Sequence, residues 1–343
     1  MITELSLENF KAFEERKFEF GLLNILSGLN NSGKSSVIQS IRLLNEQKPL
    51  SDLGPLDVYR RSDSKGFSLK CEQKINTKQD TVIFNYDEST NKSSNSGSIK
   101  GIVSYISADR LGPRNSLPLS IDEKTITTVG SKGECIVDFL AHLEKDWYGL
   151  QVPEALTRTG ETGVRRNIQE WLRCISPGVT FDFISDKDAD IGRTMFNKHR
   201  PGHVGFGLSY TLPIIASVII HASQLVTNKA EPVLLLLENP EAHLHPSGQT
   251  MMGGMLAKAA SCGVQIIVET HSDHLLNGIR IAIKGKDISN TDVKCFFFKS
   301  GSWNGVNEEQ SNVTRIKIDK YGMVDYWPDG FFDETEKSLQ QLI

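Results

Sequence analysis

The chain has 343 residues, a net charge of −4 and five cysteines, Cys71, Cys135, Cys174, Cys262 and Cys295. The length suits a core with an inserted or flanking lobe, and the weak negative charge argues against a strongly basic nucleic-acid binder. The cysteines are scattered, odd in number and never spaced C-x-x-C, which argues against a disulfide scaffold or zinc ribbon and points to a reducing, cytoplasmic compartment.

The opening Met1-Ile2-Thr3-Glu4-Leu5 lacks the basic-then-apolar pattern of a secretory signal, and no apolar run reads as long enough to span a bilayer. Residues 1–27 read as two or three strands, the last being Leu22-Leu23-Asn24-Ile25-Leu26 running into Ser27-Gly28. Helical spacing starts after Gly33, through Val37, Ile38, Ile41 and Leu44. Residues 50–100 read as a β-rich insert with a polar tip or mobile loop at 88–98, and Ile102–Ile106 as another strand. Residues 115–225 read as mainly helical, ending in a long apolar helix from Leu208 to Val226. Val233–Leu237 and Val264–Val268 are fully apolar, as central parallel strands are. Helices are expected over 249–260 and 274–283, with a strand at Cys295–Phe298.

Between the third strand and the first helix lies Gly28-Leu29-Asn30-Asn31-Ser32-Gly33-Lys34-Ser35, a complete G-x-x-x-x-G-K-[ST] loop followed by Ser36. Its glycines let successive N–H groups converge on phosphate oxygens, and the helix N-terminus adds partial positive charge. Lys34 is expected on the β- and γ-phosphates of ATP and the Ser35 hydroxyl on Mg²⁺. The apolar strand 233–237 ends in Glu238-Asn239-Pro240-Glu241, putting a carboxylate where open α/β sheets bind ligands. Glu238 is expected to hold Mg²⁺ through water. The next strand ends in Glu269-Thr270-His271, whose histidine could bond the γ-phosphate or the attacking water.

The segments Glu238–Pro246 and Glu269–His274 resemble the RecF/SMC/OLD-like branch of the ABC-type ATPases, and Asn9-Phe10-Lys11-Ala12-Phe13 is similar to that branch's N-terminal strand pair. Gly205-Phe206-Gly207-Leu208-Ser209 resembles its degenerate signature motif. The tail from Gly322 to Glu334 is similar to the C-terminal extension of a bacterial subgroup found in defence-type operons. The resemblance implies an α/β, ABC-ATPase-like P-loop fold: a mixed sheet with an antiparallel β portion, plus a helical lobe. The expected division is 1–114 with the phosphate loop and β-rich insert, 115–225 as the helical lobe with the signature, and 226–343 with the acidic strand, the switch histidine and the extension. It also implies a head-to-tail homodimer in which Gly205, Gly207 and Ser209 of one subunit reach the ATP held by the other. The loop 242–245 would cross between the sites, and His271 would be the switch histidine.

Two positions depart from that pattern. Asn239 stands where many relatives carry the water-polarising acid; an amide can orient water but cannot accept its proton. Glu241 is the nearest replacement, and hydrolysis is expected to be slow or partner-gated. The segment Ile106-Ser107-Ala108-Asp109-Arg110 lacks the glutamine that senses magnesium in many relatives, and Arg110 and Arg114 either contact phosphate or pair with surface acids. The basic stretch from Arg158 to Arg200 is either a nucleic-acid track or, given its interspersed acids, a solvated face, and the second reading is favoured. Trp327-Pro328 and Phe331-Phe332 are expected to dock on the core. The leading function is an ATP-gated dimeric switch acting on a separate effector, such as a nuclease or toxin, or on a grip on DNA, with no membrane partner. The alternatives are a nucleotide-loaded scaffold with little turnover and a small-molecule kinase or GTPase.

Overall fold

The computed structural model describes residues 1–75, 77–119, 126–146, 149–158, 160–227, 231–299 and 312–342. Among these, a central six-stranded sheet runs in the order β14 (Asn312–Ile316), β13 (Val293–Lys299), β3 (Leu23–Gly28), β12 (Gln265–Glu269), β11 (Val233–Glu238) and β7 (Ile102–Ile106). Neighbours are parallel except β14, which is antiparallel to β13. The middle strands are apolar throughout because both faces are covered. Leu234, Leu236, Ile267, Phe296 and Phe298 turn into one core, while Leu235, Leu237, Ile266, Val268 and Phe297 turn into the other.

The first core is closed by a five-stranded antiparallel sheet, ordered β2 (Phe13–Glu19), β1 (Ile2–Phe10), β4 (Gly66–Ile75), β5 (Lys78–Asp87) and β6 (Lys92–Ser96). Between the two sheets lies α1 (Lys34–Glu46), whose Val37, Ile38, Ile41 and Leu44 share that core with Leu5, Leu69 and Phe84. The Phe18 ring lies 5.5 Å from Phe296 and 5.9 Å from Phe298, so aromatic edges and faces tie the sheets together. The β-rich reading of 50–100 holds, and the polar stretch after Asp87 is a tight turn leading into β6.

The second core lies under α2 (Ile136–Asp146), α3 (Val164–Ile175), α4 (Phe206–Val226), α5 (Pro246–Ser261) and α6 (Asp273–Lys284). The mainly helical reading of 115–225 needs correction. This lobe also holds an antiparallel sheet of β8 (Leu117–Pro118), β10 (Ile191–Phe196) and β9 (Phe181–Asp186). Phe181 and Phe183 alternate with Asp182, so one face of β9 is buried, and Asp190 (φ 52°) takes the turn. The expectation about bilayer-length runs also fails. By length and composition α4 could cross a membrane, but 72% of its apolar window is buried in the protein, as in a core helix.

In the basic stretch, Arg165 bonds Asp182, while Arg166 and Arg173 reach Glu170 at 3.3 and 2.9 Å. Near the C-terminus, Phe331 is fully buried 5.4 Å from the Phe297 ring, so this part of the tail docks as expected, whereas Trp327 does not. Trp327 stays 45% exposed beneath the Arg280 guanidinium, and α7 (Glu334–Leu342) follows.

Candidate phosphate-binding site

The phosphate loop leaves the carboxyl end of β3 and turns into α1. Gly28 (φ 142°) and Gly33 (φ 96°) take backbone conformations closed to residues with a Cβ, and Gly33 caps α1 without a side-chain bond. A Cβ at Gly28 would sit 2.0 Å from the Phe298 carbonyl oxygen, so β13 also requires glycine there. The Lys34 ammonium is nearly buried and donates to the carbonyls of Gly28 (3.1 Å) and Leu29 (2.6 Å). Burial lowers its pKa, and Glu269 opposes that shift. A cavity of about 330 Å³ opens here, lined by Asn30, Asn31, Ser32, Gly33, Lys34, Ser35 and Ser36 with Lys11, Gln39 and Glu269. The glycine-bounded loop at the start of α1, the buried cation and the hydroxyl fit a polyphosphate and its divalent cation.

Two apolar strands deliver carboxylates to this edge, with Glu238 and Glu269 facing each other across the β11–β12 ladder. Glu238 accepts the Tyr105 hydroxyl (3.1 Å) through Oε1 and the Ala108 N–H (3.1 Å) through Oε2. Glu269 accepts the Ser35 hydroxyl at 2.8 Å and lies 3.8 Å from the Lys34 ammonium. Burial pushes its pKa up to about 6; Ser35 and Lys34 oppose the shift, and Glu238 and Glu241 add to it.

The turn after β11 is strained and braced. Asn239 has φ 43° and donates its N–H to the Glu269 carbonyl (2.9 Å). Its Oδ1 is buried without a partner among the described residues, so it is free to accept a hydrogen bond but not a proton. Glu241 is buried, accepts the His271 N–H at 2.9 Å and has its pKa raised by burial. The exposed His271 side chain is pushed below its ordinary pKa by desolvation and by the Lys34 charge.

Arg110 fits neither alternative offered for it. It is 2% exposed and donates to the carbonyls of Ser107, Glu238 and Asn239 at 2.7–2.8 Å, so it holds the acidic turn from behind. Burial lowers its pKa to about 10, with Glu241 opposing. Arg114 is exposed, and the cavity that it lines also holds Ser209.

The signature residues do not line the phosphate cavity. Gly205 caps α4, and Gly207 packs so tightly on the 242–245 loop that a Cβ would lie 2.7 Å from the His243 carbonyl oxygen. Phe206 is 54% exposed beside the His243 ring. The Ser209 hydroxyl faces inward, buried and without a partner among the described residues. The structure thus gathers residues 28–36, Glu238, Asn239, Glu241 and His271 at one edge and leaves 205–209 apart. Glu269, Lys11, Gln39 and Tyr105 had no assigned role in the sequence reading. Glu269 was detectable, since two apolar strands end in glutamate at matching positions.

A family model described as an AAA ATPase domain matches residues 1–101 and 202–276, just over half of the chain, and passes over the stretch that holds α2, α3 and the β8–β10–β9 sheet. Residues 288–342 match a family described as a protein of unknown function (DUF3696). The Old nuclease of Escherichia phage P2 is 22% identical over 339 aligned residues, covering 80% of this chain, which spans only 57% of that relative's length. Among solved structures, an Smc head bound to the C-winged helix domain of ScpA has a TM-score of 0.57 at 13% identity, covering 93% of this chain and 98% of that one. The Smc head from Pyrococcus furiosus with an extended coiled coil, bound to the C-terminal domain of ScpA, has a TM-score of 0.55 at 14% identity and covers 99% of both chains. The recombination mediator RecF has a TM-score of 0.50 at 13% identity, covering 87% of this chain and 95% of its own. With its complete phosphate loop and acidic strand ends, the chain belongs to the AAA ATPase domain family, and its fold is that of the Smc heads and RecF.

Proposed function

We propose that the protein is a Mg²⁺-dependent ATPase that closes as a head-to-tail homodimer and uses the closed state to control a separate effector. One observation carries this reading. The phosphate cavity is complete on its loop side, yet Gly205, Gly207 and Ser209 lie outside it with Phe206 exposed. A second copy would bring the N-terminal end of α4, with Gly205 and Phe206 exposed, over the nucleotide, and the inward-facing Ser209 hydroxyl would have to turn outward to reach it. The 28–34 backbone and Lys34 would hold the phosphates, and Ser35, with Glu238 acting through water, would hold Mg²⁺, which neutralises developing phosphate charge when bound. His271 would bond the terminal phosphate or the water. Asn239, with its free Oδ1, would orient that water. Glu241 is the remaining candidate to take its proton, though it is buried and bonded to the His271 N–H. Hydrolysis would then be slow or await a partner.

The effector is a nuclease or toxin on another chain, or a grip on nucleic acid, in the cytoplasm and in the service of anti-phage defence. The phage nuclease similarity and the ScpA-bound Smc heads support this class of partner. A nucleotide-loaded scaffold with little turnover is the second reading, and Asn239 favours it.

Light scattering with and without Mg²⁺-ATP tests the mechanism, with Lys34→Ala as control. A monomer converting to a dimer in wild type, with no response in Lys34→Ala, is the expected result. A chain that stays monomeric at saturating ATP would sink the shared-site reading and raise that of a kinase or GTPase. A constant dimer moves the test to Ser209→Ala, which should leave mass unchanged but slow turnover at least about tenfold.

A further inference from the structure

We propose that Glu269, at the end of β12, is the carboxylate that acts with Ser35 in the divalent-cation site, with Glu238 standing behind it. This deepens the ATPase reading and rests on it. Three acids crowd this sheet edge, and their contacts differ. Both Glu238 oxygens are engaged away from the loop, by the Tyr105 hydroxyl and the Ala108 N–H. Glu241 accepts the His271 N–H. Glu269 is the acid in the wall of the phosphate cavity, and it accepts a hydrogen bond from the Ser35 hydroxyl at 2.8 Å. A phosphate-loop serine hydroxyl is the expected magnesium ligand in this type of site. A carboxylate within hydrogen-bond reach of that oxygen is placed for the same ion or for one of its waters.

Charge balance points the same way. Glu269 is only 7% exposed, and its nearest cation is the Lys34 ammonium at 3.8 Å. That ammonium is now tied to the carbonyls of Gly28 and Leu29. Phosphate would draw Lys34 onto its own oxygens and leave a buried carboxylate facing a polyanion. Such a charge stays buried only if a cation accompanies it. Glu269 would therefore couple nucleotide binding to the metal, repelling metal-free nucleotide and welcoming the metal complex.

The test is binding of a non-hydrolysable ATP analogue in EDTA and in Mn²⁺, followed by fluorescence, with bound Mn²⁺ counted by its paramagnetic resonance. In Glu269→Gln, Mn²⁺ affinity in the nucleotide complex should fall about tenfold or more, while the analogue in EDTA binds as well as in wild type or better. Ser35→Ala should lose Mn²⁺ in the same way. Unchanged Mn²⁺ affinity in Glu269→Gln overturns the proposal, as does an equal loss of analogue affinity with and without metal, which would mark Glu269 as a structural prop of the loop. Should Glu269→Gln fail to fold, Glu269→Asp gives the same reading through its shortened reach, and full Mn²⁺ affinity there overturns the proposal. Wild type that binds no analogue under either condition refutes the ATPase reading itself, a different outcome from any of these.

Discussion

Strands β11 and β12 are close to copies of one another. Leu235-Leu236-Leu237-Glu238 and Ile266-Ile267-Val268-Glu269 are both apolar, both end in glutamate and lie in register in one sheet. Their carboxylates nevertheless bond different partners, because their neighbours differ. Beyond β11 lies β7, which carries Tyr105 and leads to Ala108, and these take the Glu238 oxygens. Beyond β12 lies β3, which runs into the phosphate loop, so Glu269 meets Ser35 and Lys34. Strand pattern delivers an acid to the sheet edge, and strand order decides what that acid touches.

The strongest way to break this comparison is to remove the brace that only the β11 end possesses. Arg110→Met would strip hydrogen bonds from the carbonyls of Glu238 and Asn239 and take a cation from near buried Glu241. A loss of about 4 kcal/mol in urea unfolding is expected. A loss below about 1 kcal/mol would mean that the turn holds itself.

Comparing the two ends by pH requires that a distant buried titration be cleared first. His221, in α4, is wholly buried, and desolvation lowers its pKa to about 4. Its folded pKa lies below the unfolded 6.5, so its contribution is fully present above pH 6.5 and is lost as pH falls through 4. The amount is about 3 kcal/mol. In His221→Leu, the stability measured between pH 7 and 4 should lose that part of its acid slope. An unchanged slope would assign the acid sensitivity to other groups.

The smallest effect belongs to the contact that holds Glu238 back. Tyr105→Phe removes one hydrogen bond to Oε1 and should cost about 1 kcal/mol. No change in the unfolding midpoint would show that the hydroxyl contributes nothing net.

Much of this was legible in the chain. The phosphate loop was readable because glycine, lysine and serine at that spacing have few other physical uses, and the apolar runs 233–237 and 264–268 because only strands buried on both faces dispense with polar residues. The hairpin at 181–196 was hidden by its surroundings: its Phe-Asp-Phe alternation is short and lies between helices. Arg110 was misjudged because an arginine beside acids in sequence reads as a phosphate contact or a surface ion pair, whereas two of its three partners are main-chain carbonyls about 130 positions away.

The sequence by itself determined the phosphate-loop motif, the family and the strand-and-helix order around the loop, since local spacing specifies a glycine cradle, a helix start and an apolar strand. Only the tertiary structure decided which carboxylate meets the loop, that Arg110 points inward and that residues 205–209 stay outside the cavity. Those facts depend on which strand lies beside which, and strand order is set by packing between residues hundreds of positions apart.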